Sequence, residues 1–329
     1  MIHRYDIGRF SVLLNITVLF LLVSLVFMPC DAADELRYSL VGHYFRIGWI
    51  TGNPTLAGIA SMLLLAAGPL AFFSTDRLYT LRLGGGLPLI YAILIFSCRG
   101  ALCLSPIHIA VFFLAWTLLY SFKASQEQYD ADNAFISMMM LSTGSLFFVP
   151  LIWMAPLVAV LDNYNSARKG KTVIGSVCGL LLPMIFVTGI HSMITGFTDI
   201  FEPVVRYASM AVDINTGLPQ MQQSATVLKV LLLIIASVWA TISFLSVYGT
   251  LDIAAARCHL RCLFYGVWLT LIVLVFGHSL GSAPWMLVML PASLFLYAFF
   301  KKHTQQKAGV FLLCLLLLLI VAERIVVLL

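Results

Sequence analysis

Two adjacent carboxylates, Asp34 and Glu35, are the residues of this sequence best placed to do chemistry. They lie in a polar stretch, residues 31–44, directly after the first long apolar run of a strongly hydrophobic chain. A carboxylate held at a membrane surface can serve as a general base toward a hydroxyl that comes within hydrogen-bonding reach. The alternative is that both are ordinary solvated loop acids. We take Asp34 and Glu35 as the candidate catalytic residues.

Arginines on the same predicted side of the membrane supply a second kind of chemistry. A guanidinium binds phosphate or pyrophosphate through paired hydrogen bonds, and cations on the external side of a membrane protein are unusual enough to suggest a role. Snorkelling to lipid headgroups is the alternative for each of them. The candidates for binding a phosphate-containing donor are Arg37, Arg46, Arg99 and Arg206.

Histidines and cysteines give weaker indications. His43, His108, His191 and His278 fall on the predicted external side and could bind a divalent metal together with the two acids. No pair of them has the i, i+4 spacing of a helical metal site, and bonding to water or backbone is the ordinary alternative. We therefore predict no cofactor and leave a divalent metal open. One disulfide among three cysteines would suit an oxidising compartment: Cys30, Cys98 and Cys103.

Composition decides which elements must position these residues. The 329-residue chain is 61% hydrophobic and 10% charged, whereas soluble domains carry about 25% charged residues. It is therefore predicted to be a multipass membrane protein with membrane lipids as its surroundings. The basic residues form no continuous stripe, which argues against a nucleic-acid partner. No linker or internal repeat interrupts the sequence, so we expect one integral membrane domain, residues 1–329.

The predicted fold class is all-α, a polytopic bundle of transmembrane helices. A helix needs roughly 20 apolar residues to cross the hydrocarbon core, and backbone groups in lipid must pair within their own segment. About eleven membrane segments are expected, of which two form a short pair that meets at Pro150. They lie near residues 10–29, 54–73, 85–98, 104–122, 133–148, 150–161, 172–190, 225–248, 262–279, 285–300 and 308–328.

The distribution of lysine and arginine decides how that short pair is arranged. If it is a hairpin and the N-terminus is cytoplasmic, thirteen Lys/Arg lie inside and five lie outside. If it is one broken span, the numbers become seven and eleven. We therefore predict a hairpin, with the N-terminus cytoplasmic and the C-terminus periplasmic. The thirteen are Arg4, Arg9, Arg77, Arg82, Lys123, Arg168, Lys169, Lys171, Arg257, Arg261, Lys301, Lys302 and Lys307.

One external loop has the pattern of an amphipathic helix. Between residues 196 and 212, apolar residues recur at helical spacing, and Glu202 and Arg206 share the opposite face. Such a segment is expected to lie along the membrane surface.

Short apolar motifs between residues 80 and 190 resemble a family of uncharacterised bacterial inner-membrane proteins, a domain of unknown function sometimes mislabelled as a carotene oxygenase. The resemblance rests on five pieces and brings no established activity. They are Leu87-Pro88-Leu-Ile-Tyr91, Leu104-Ser105-Pro106, Asn133-Ala-Phe135, Leu146-Phe147-Phe148-Val149-Pro150 and Leu180-Leu-Leu-Pro183.

The run Asp34-Glu35-Leu36-Arg37-Tyr38 resembles the acidic motif in the first outward loop of GT-C type glycosyltransferases. That resemblance implies a polyprenyl-phosphate sugar as donor and adds Tyr38 to the donor-binding candidates. Gly144–Pro150 is similar to the turn of the short helix pair in that class. The sequence lacks a second acidic motif and a large soluble domain. We therefore expect a bacterial inner-membrane glycosyltransferase of envelope glycan assembly, with a non-enzymatic membrane subunit or carrier as the alternative.

Overall fold

The computed structural model of the chain describes residues 38–45, 57–68, 87–98, 101, 104–124, 130–164, 166, 169–195, 200–213, 238, 241–242, 253–276, 283–303 and 318. Every regular element in these residues is helical. The all-α fold class predicted from composition is confirmed for this part of the chain.

The helices whose bounds the structure defines lie between residues 40 and 303. We number them in chain order as α1 (Leu40–Phe45), α2 (Ala57–Gly68), α3 (Leu87–Phe96), α4 (Pro106–Ala124), α5 (Asp130–Phe147), a 3₁₀ helix (Val149–Met154), α6 (Ala155–Tyr164), α7 (Lys169–Thr195), α8 (Glu202–Val212), α9 (Ile253–Phe276) and α10 (Trp285–His303).

Three of these helices are long and apolar enough to cross a membrane: α4, α7 and the Ala256–Phe276 part of α9. Shorter apolar helices occur at Ala57–Gly68, Val149–Tyr164 and Trp285–Leu296. The segments predicted near 10–29, 225–248 and 308–328 lie outside the described residues, apart from the single positions 238, 241, 242 and 318. Eleven membrane segments therefore stays a prediction, while three candidate spans are observed.

Helices α4 and α5 pack side by side and run in opposite directions. Near the end of α4, the Ser137 hydroxyl of α5 donates a hydrogen bond to the Thr117 carbonyl at 3.2 Å. Near the start of α4, Gly144 of α5 lies against Phe113, and a Cβ atom on this glycine would be 3.1 Å from the Phe113 Cβ. A small residue is needed here because the two backbones approach closely.

The chain reverses after α5 and forms a hairpin. Leu151, in the 3₁₀ helix, packs beside Gly144 near the end of α5, and Asp162, near the end of α6, lies beside Ser137 near the start of α5. Helix α6 therefore returns along α5 to the end from which α5 began. The chain thus folds back where a hairpin was predicted for residues 133–161, with Pro150 in the 3₁₀ turn, and the position of this hairpin on one side of a membrane stays a prediction.

Helix α7 runs parallel to α5, and two glycines make the contact. Gly175 lies against the Ala131 carbonyl, where a Cβ atom would come within 2.8 Å, and Gly179 lies still closer to the Phe135 carbonyl. Further along, the Ser142 hydroxyl of α5 donates a hydrogen bond to a carbonyl of α7 at 2.7 Å. This Gly-x-x-x-Gly spacing is a common way for helices in membranes to approach closely.

These contacts give the helical group two distinct ends. At one end lie the last turns of α4 and α6, the start of α5 and the first turns of α7 and α9. At the other end, the tip of α5 and the 3₁₀ helix meet α1 and α8. Helix α9 extends from the first end to the 3₁₀ helix, where the Trp268 indole donates a hydrogen bond to the Trp153 carbonyl at 2.7 Å.

Candidate functional site

Several of the predicted site residues lie outside the part of the chain that the structure describes. These are Asp34, Glu35, Arg37, Arg46, Arg99 and His278. For His43 only the backbone, within α1, is described. The structure places Tyr38, His191 and Arg206 on or against α8, and it places His108 elsewhere, at the start of α4.

We call the assembly of α1, α8, the 3₁₀ helix and the tip of α5 the α8 cap. Tyr38 and Leu40 are buried in it. The Ser39 hydroxyl accepts a hydrogen bond from the Gly42 N–H at 2.9 Å and thereby caps the N-terminus of α1. The Tyr38 hydroxyl donates to the Asp213 carbonyl, just past the end of α8, at 3.4 Å. Tyr38, the last residue of the acidic motif, is therefore fixed against α8 together with α1.

Two further hydrogen bonds hold α8 onto the helical group. The Tyr207 and Ser145 hydroxyls are 2.6 Å apart, and the Trp153 indole donates to the Ala211 carbonyl at 2.9 Å. Burial raises the pKa of the Tyr207 phenol, while its hydrogen bond with Ser145 has the opposite effect. Since the phenol stays neutral, this anchor is independent of charge.

Arg206 and His191 both belong to this end of the molecule. Arg206 is half-buried on α8, two turns before Asp213. His191, near the end of α7, faces Glu202 in the first turn of α8, with 3.3 Å between Nε2 and the carboxylate. In the described part of the chain, no three His, Cys, Asp or Glu side chains come together as a metal ion would require.

Helix α8 has one buried face and two that are more open. The face that packs against the helical group carries Pro203, Tyr207, Met210 and Ala211.

The open faces of α8 differ in polarity. One is polar and carries Glu202, Arg206 and Ser209. The other is apolar and exposed, and an exposed apolar face beside a polar one is the pattern of a helix at a membrane surface. The exposed apolar residues are Phe201, Val204, Val205, Ala208 and Val212.

At the opposite end of the helical group lies a buried ion pair that the sequence did not reveal. Arg261 of α9 is 2.9 Å from the Asp162 carboxylate of α6, and their exposed fractions are 3% and 0%. The Ser121 hydroxyl donates to the same carboxylate oxygen at 2.5 Å. Ser121 and Tyr265 hydroxyls are also 2.5 Å apart. We call Asp162, Arg261, Ser121 and Tyr265 the charged centre.

Arg261 also caps the C-terminal ends of two helices. Its Nη1 contacts the Ser121 carbonyl of α4, and its Nη2 donates to the Leu161 carbonyl of α6 at 2.5 Å. Both carbonyls belong to the last four of their helices, which have no partner within the helix. The negative ends of two helix dipoles therefore stabilise this guanidinium in addition to Asp162.

The sequence assigned Arg261 to the cytoplasmic anchors and gave Asp162, Ser121 and Tyr265 no role. The ion pair joins residues that are 99 positions apart along the chain, so no local spacing predicts it. The available signal was an acidic residue at the end of an apolar helix, since ionisable residues in such positions are rare and usually functional or paired.

His108, one of the predicted metal-binding candidates, has an ordinary structural role. Its Nε2 donates to the Ala101 carbonyl at 2.9 Å, and its Nδ1 accepts the Ser105 N–H at 3.2 Å. Because a carbonyl only accepts, Nε2 carries the proton, and the ring helps to cap α4.

Cys98, one of the predicted disulfide candidates, is present as a buried thiol. Its Sγ donates to the Leu94 carbonyl one turn earlier in the chain, at 3.9 Å. The other two candidates, Cys30 and Cys103, lie outside the described residues.

The long apolar helices and the buried ion pair together indicate a helical membrane protein. Comparisons with protein-family models, curated proteins and solved structures found no match.

Proposed function

We propose that this protein is a membrane glycosyltransferase of the GT-C type that uses a polyprenyl-phosphate sugar in bacterial envelope glycan assembly. The observation that supports the proposal is the α8 cap. It joins Tyr38, the last residue of the acidic motif, to the helix that carries Arg206, through a contact with Asp213 that spans 175 residues of chain.

Covalent geometry limits how far the proposed catalytic pair can lie from this cap. Glu35 precedes Tyr38 by three residues, and three residues of chain span at most about 11 Å. Asp34 is one residue further away. This limit applies to the distance from the Tyr38 backbone, and both acids themselves lie outside the described residues.

In the proposed reaction, Asp34 or Glu35 accepts the proton of the acceptor hydroxyl. The phosphate of the lipid-linked donor is bound by arginines. The exposed apolar face of α8 would rest on the outer leaflet, where such a donor is anchored. The phosphate-binding residues are Arg206, Arg37, Arg46 and Arg99.

Substitution of the two acids tests the proposal. Asp34→Asn and Glu35→Gln remove the proton acceptor and keep size and shape, so loss of the base should reduce the rate by roughly 10²–10⁴. The measurement is complementation of a deletion strain, scored by its envelope glycan profile, with the abundance of each variant in the membrane checked in parallel. Asp132→Asn is the matched control, because Asp132 is an exposed carboxylate at the opposite end of the helical group.

If both single variants and the double variant give normal glycan at normal abundance, the proposed glycosyltransferase function is ruled out. The second candidate is a non-enzymatic membrane subunit or a carrier. The charged centre favours it, because buried ionisable residues within membrane helices commonly mark transport pathways. An Asp162→Asn variant that abolishes complementation at normal abundance, while the Asp34 and Glu35 variants complement, would select this candidate.

A further inference from the structure

The two oxygens of the Asp162 carboxylate have very different surroundings. Oδ1 accepts hydrogen bonds from Ser121 and Arg261. Oδ2 is buried and has no hydrogen-bond partner among the described residues. Ser137 lies beside the carboxylate, but its hydroxyl donates to the Thr117 carbonyl. A buried oxygen without a donor is costly when it carries charge, and the addition of a proton removes that cost.

If Asp162 is neutralised, Arg261 still has hydrogen-bond acceptors. The Ser121 and Leu161 carbonyls still accept hydrogen bonds from the guanidinium. These carbonyls are the negative ends of α4 and α6. The arginine can therefore remain in place while the carboxylate changes its charge. In a simple buried ion pair, neutralising one partner would leave the other charge buried and unpaired.

A chain of hydroxyl groups leads to the carboxylate. Ser121 donates its proton to Asp162, so Tyr265 must donate to Ser121 across their 2.5 Å contact.

The groups around this carboxylate come mainly from α9. The charged or titratable ones are Arg261 and Tyr265, with Cys262 beside them. Helices α4 and α5 contribute only the hydroxyls of Ser121 and Ser137, and in the described part of α7 no charged group acts on the carboxylate.

From this arrangement we propose that Asp162 is a proton-binding site, at which a proton from solvent adds to Oδ2 and weakens the attachment of the α5–α6 hairpin to α9. The bond formed is Oδ2–H, and no other covalent bond is broken. What is lost is the attraction between the carboxylate and Arg261. This inference uses none of the residues of the proposed glycosyltransferase site, so the two can fail separately.

Infrared difference spectroscopy of the full chain in lipid vesicles tests the site directly. Acidification from about pH 8 to about pH 4, the range in which carboxyl groups titrate, should produce the C=O band of a buried carboxylic acid. The band should be lost in Asp162→Asn and kept in Asp132→Asn. A spectrum that is the same in wild type and Asp162→Asn would overturn the proposal and leave a permanent ion pair.

A second variant covers the case in which Asp162→Asn does not fold. Ser121→Ala removes a hydrogen bond that stabilises the charged carboxylate. The midpoint of the same band should therefore move to higher pH, and an unchanged midpoint would also count against the site.

The loosening of the hairpin has its own readout. Cys258 and Cys262 are both buried beside Arg261. In a chain that keeps only these two cysteines and carries Gly170→Cys as an exposed reference, their labelling by a membrane-permeant maleimide should increase at low pH relative to the reference. Labelling in constant proportion to the Gly170→Cys reference would show that the hairpin stays attached, and it would overturn that part of the proposal.

Discussion

Arg261 connects α9 to the ends of α4 and α6, and it binds a wider set of groups than its acidic partner does. It reaches the Asp162 carboxylate, the Ser121 hydroxyl and two helix-terminal carbonyls. Asp162 interacts with Arg261 and the Ser121 hydroxyl. Removing the arginine therefore leaves more buried acceptors without a donor than removing the acid does, and each such acceptor costs free energy.

We expect this asymmetry to appear in the free energy of unfolding. Arg261→Met should lower it by about 3–5 kcal/mol, the usual effect of breaking a buried ion pair from one side, and Asp162→Asn should lower it less. Arg257→Met, one turn earlier on α9 and only half-buried, is the control and should change it by roughly 0.5 kcal/mol. Denaturant titration in detergent micelles measures all three. Equal losses for Arg261 and Asp162 would mean that the helix-end contacts contribute nothing.

The packing of α7 on α5 depends on the absence of side chains at two positions. Gly175 and Gly179 lie on the face of α7 that contacts α5, whereas Gly170 and Gly189 on the same helix have open space around them. Elsewhere α7 exposes large apolar side chains to its surroundings. Helix α7 therefore packs against α5 through one narrow face, and the rest of its surface is suited to contact with lipid. The exposed side chains include Ile174, Ile185 and Phe186.

Alanine substitutions on this helix should separate the two faces. Gly179→Ala forces the backbones apart and should lower the free energy of unfolding by about 1–3 kcal/mol, as overpacking does. Gly189→Ala meets no neighbouring atom and should leave it unchanged or slightly higher, because alanine favours the helix. Thermal unfolding in lipid nanodiscs measures both. Equal behaviour of the two variants would contradict the close approach of α5 and α7.

The orientation of the chain in a membrane can be inferred from the residues at the two ends of the helical group, the charged centre and the α8 cap. The cytoplasmic cations predicted from sequence include Lys123 and Arg261, and the structure brings the helix ends that carry them together at the charged centre. The predicted external residues Tyr38, His191 and Arg206 lie at the α8 cap. The residues predicted to be cytoplasmic thus lie at one end of the helical group, and those predicted to be external lie at the other. We propose that the charged centre faces the cytoplasm.

Labelling of single cysteines, in a chain whose native cysteines are replaced, should assign the two sides. Ser166 is buried and bonded to Thr172, so Gly170→Cys, at an exposed position, is the better cytoplasmic probe. Ser209→Cys on the polar face of α8 is the external probe. A membrane-impermeant maleimide added to intact spheroplasts should modify the second and not the first. The reverse pattern would place the α8 cap in the cytoplasm and remove the proposed donor site.

Composition was enough to predict a helical membrane protein, because so few charged residues cannot cover a soluble surface and lipid requires helices. The spacing within 196–212 also predicted the helix observed at Glu202–Val212, whereas the membrane arrangement of the hairpin, predicted from charge distribution, stays a prediction. The pairing of Asp162 with Arg261, and of Tyr38 with Asp213, appears only in the folded molecule. Such contacts link distant segments through packing, and neither composition nor local spacing encodes which helices will meet.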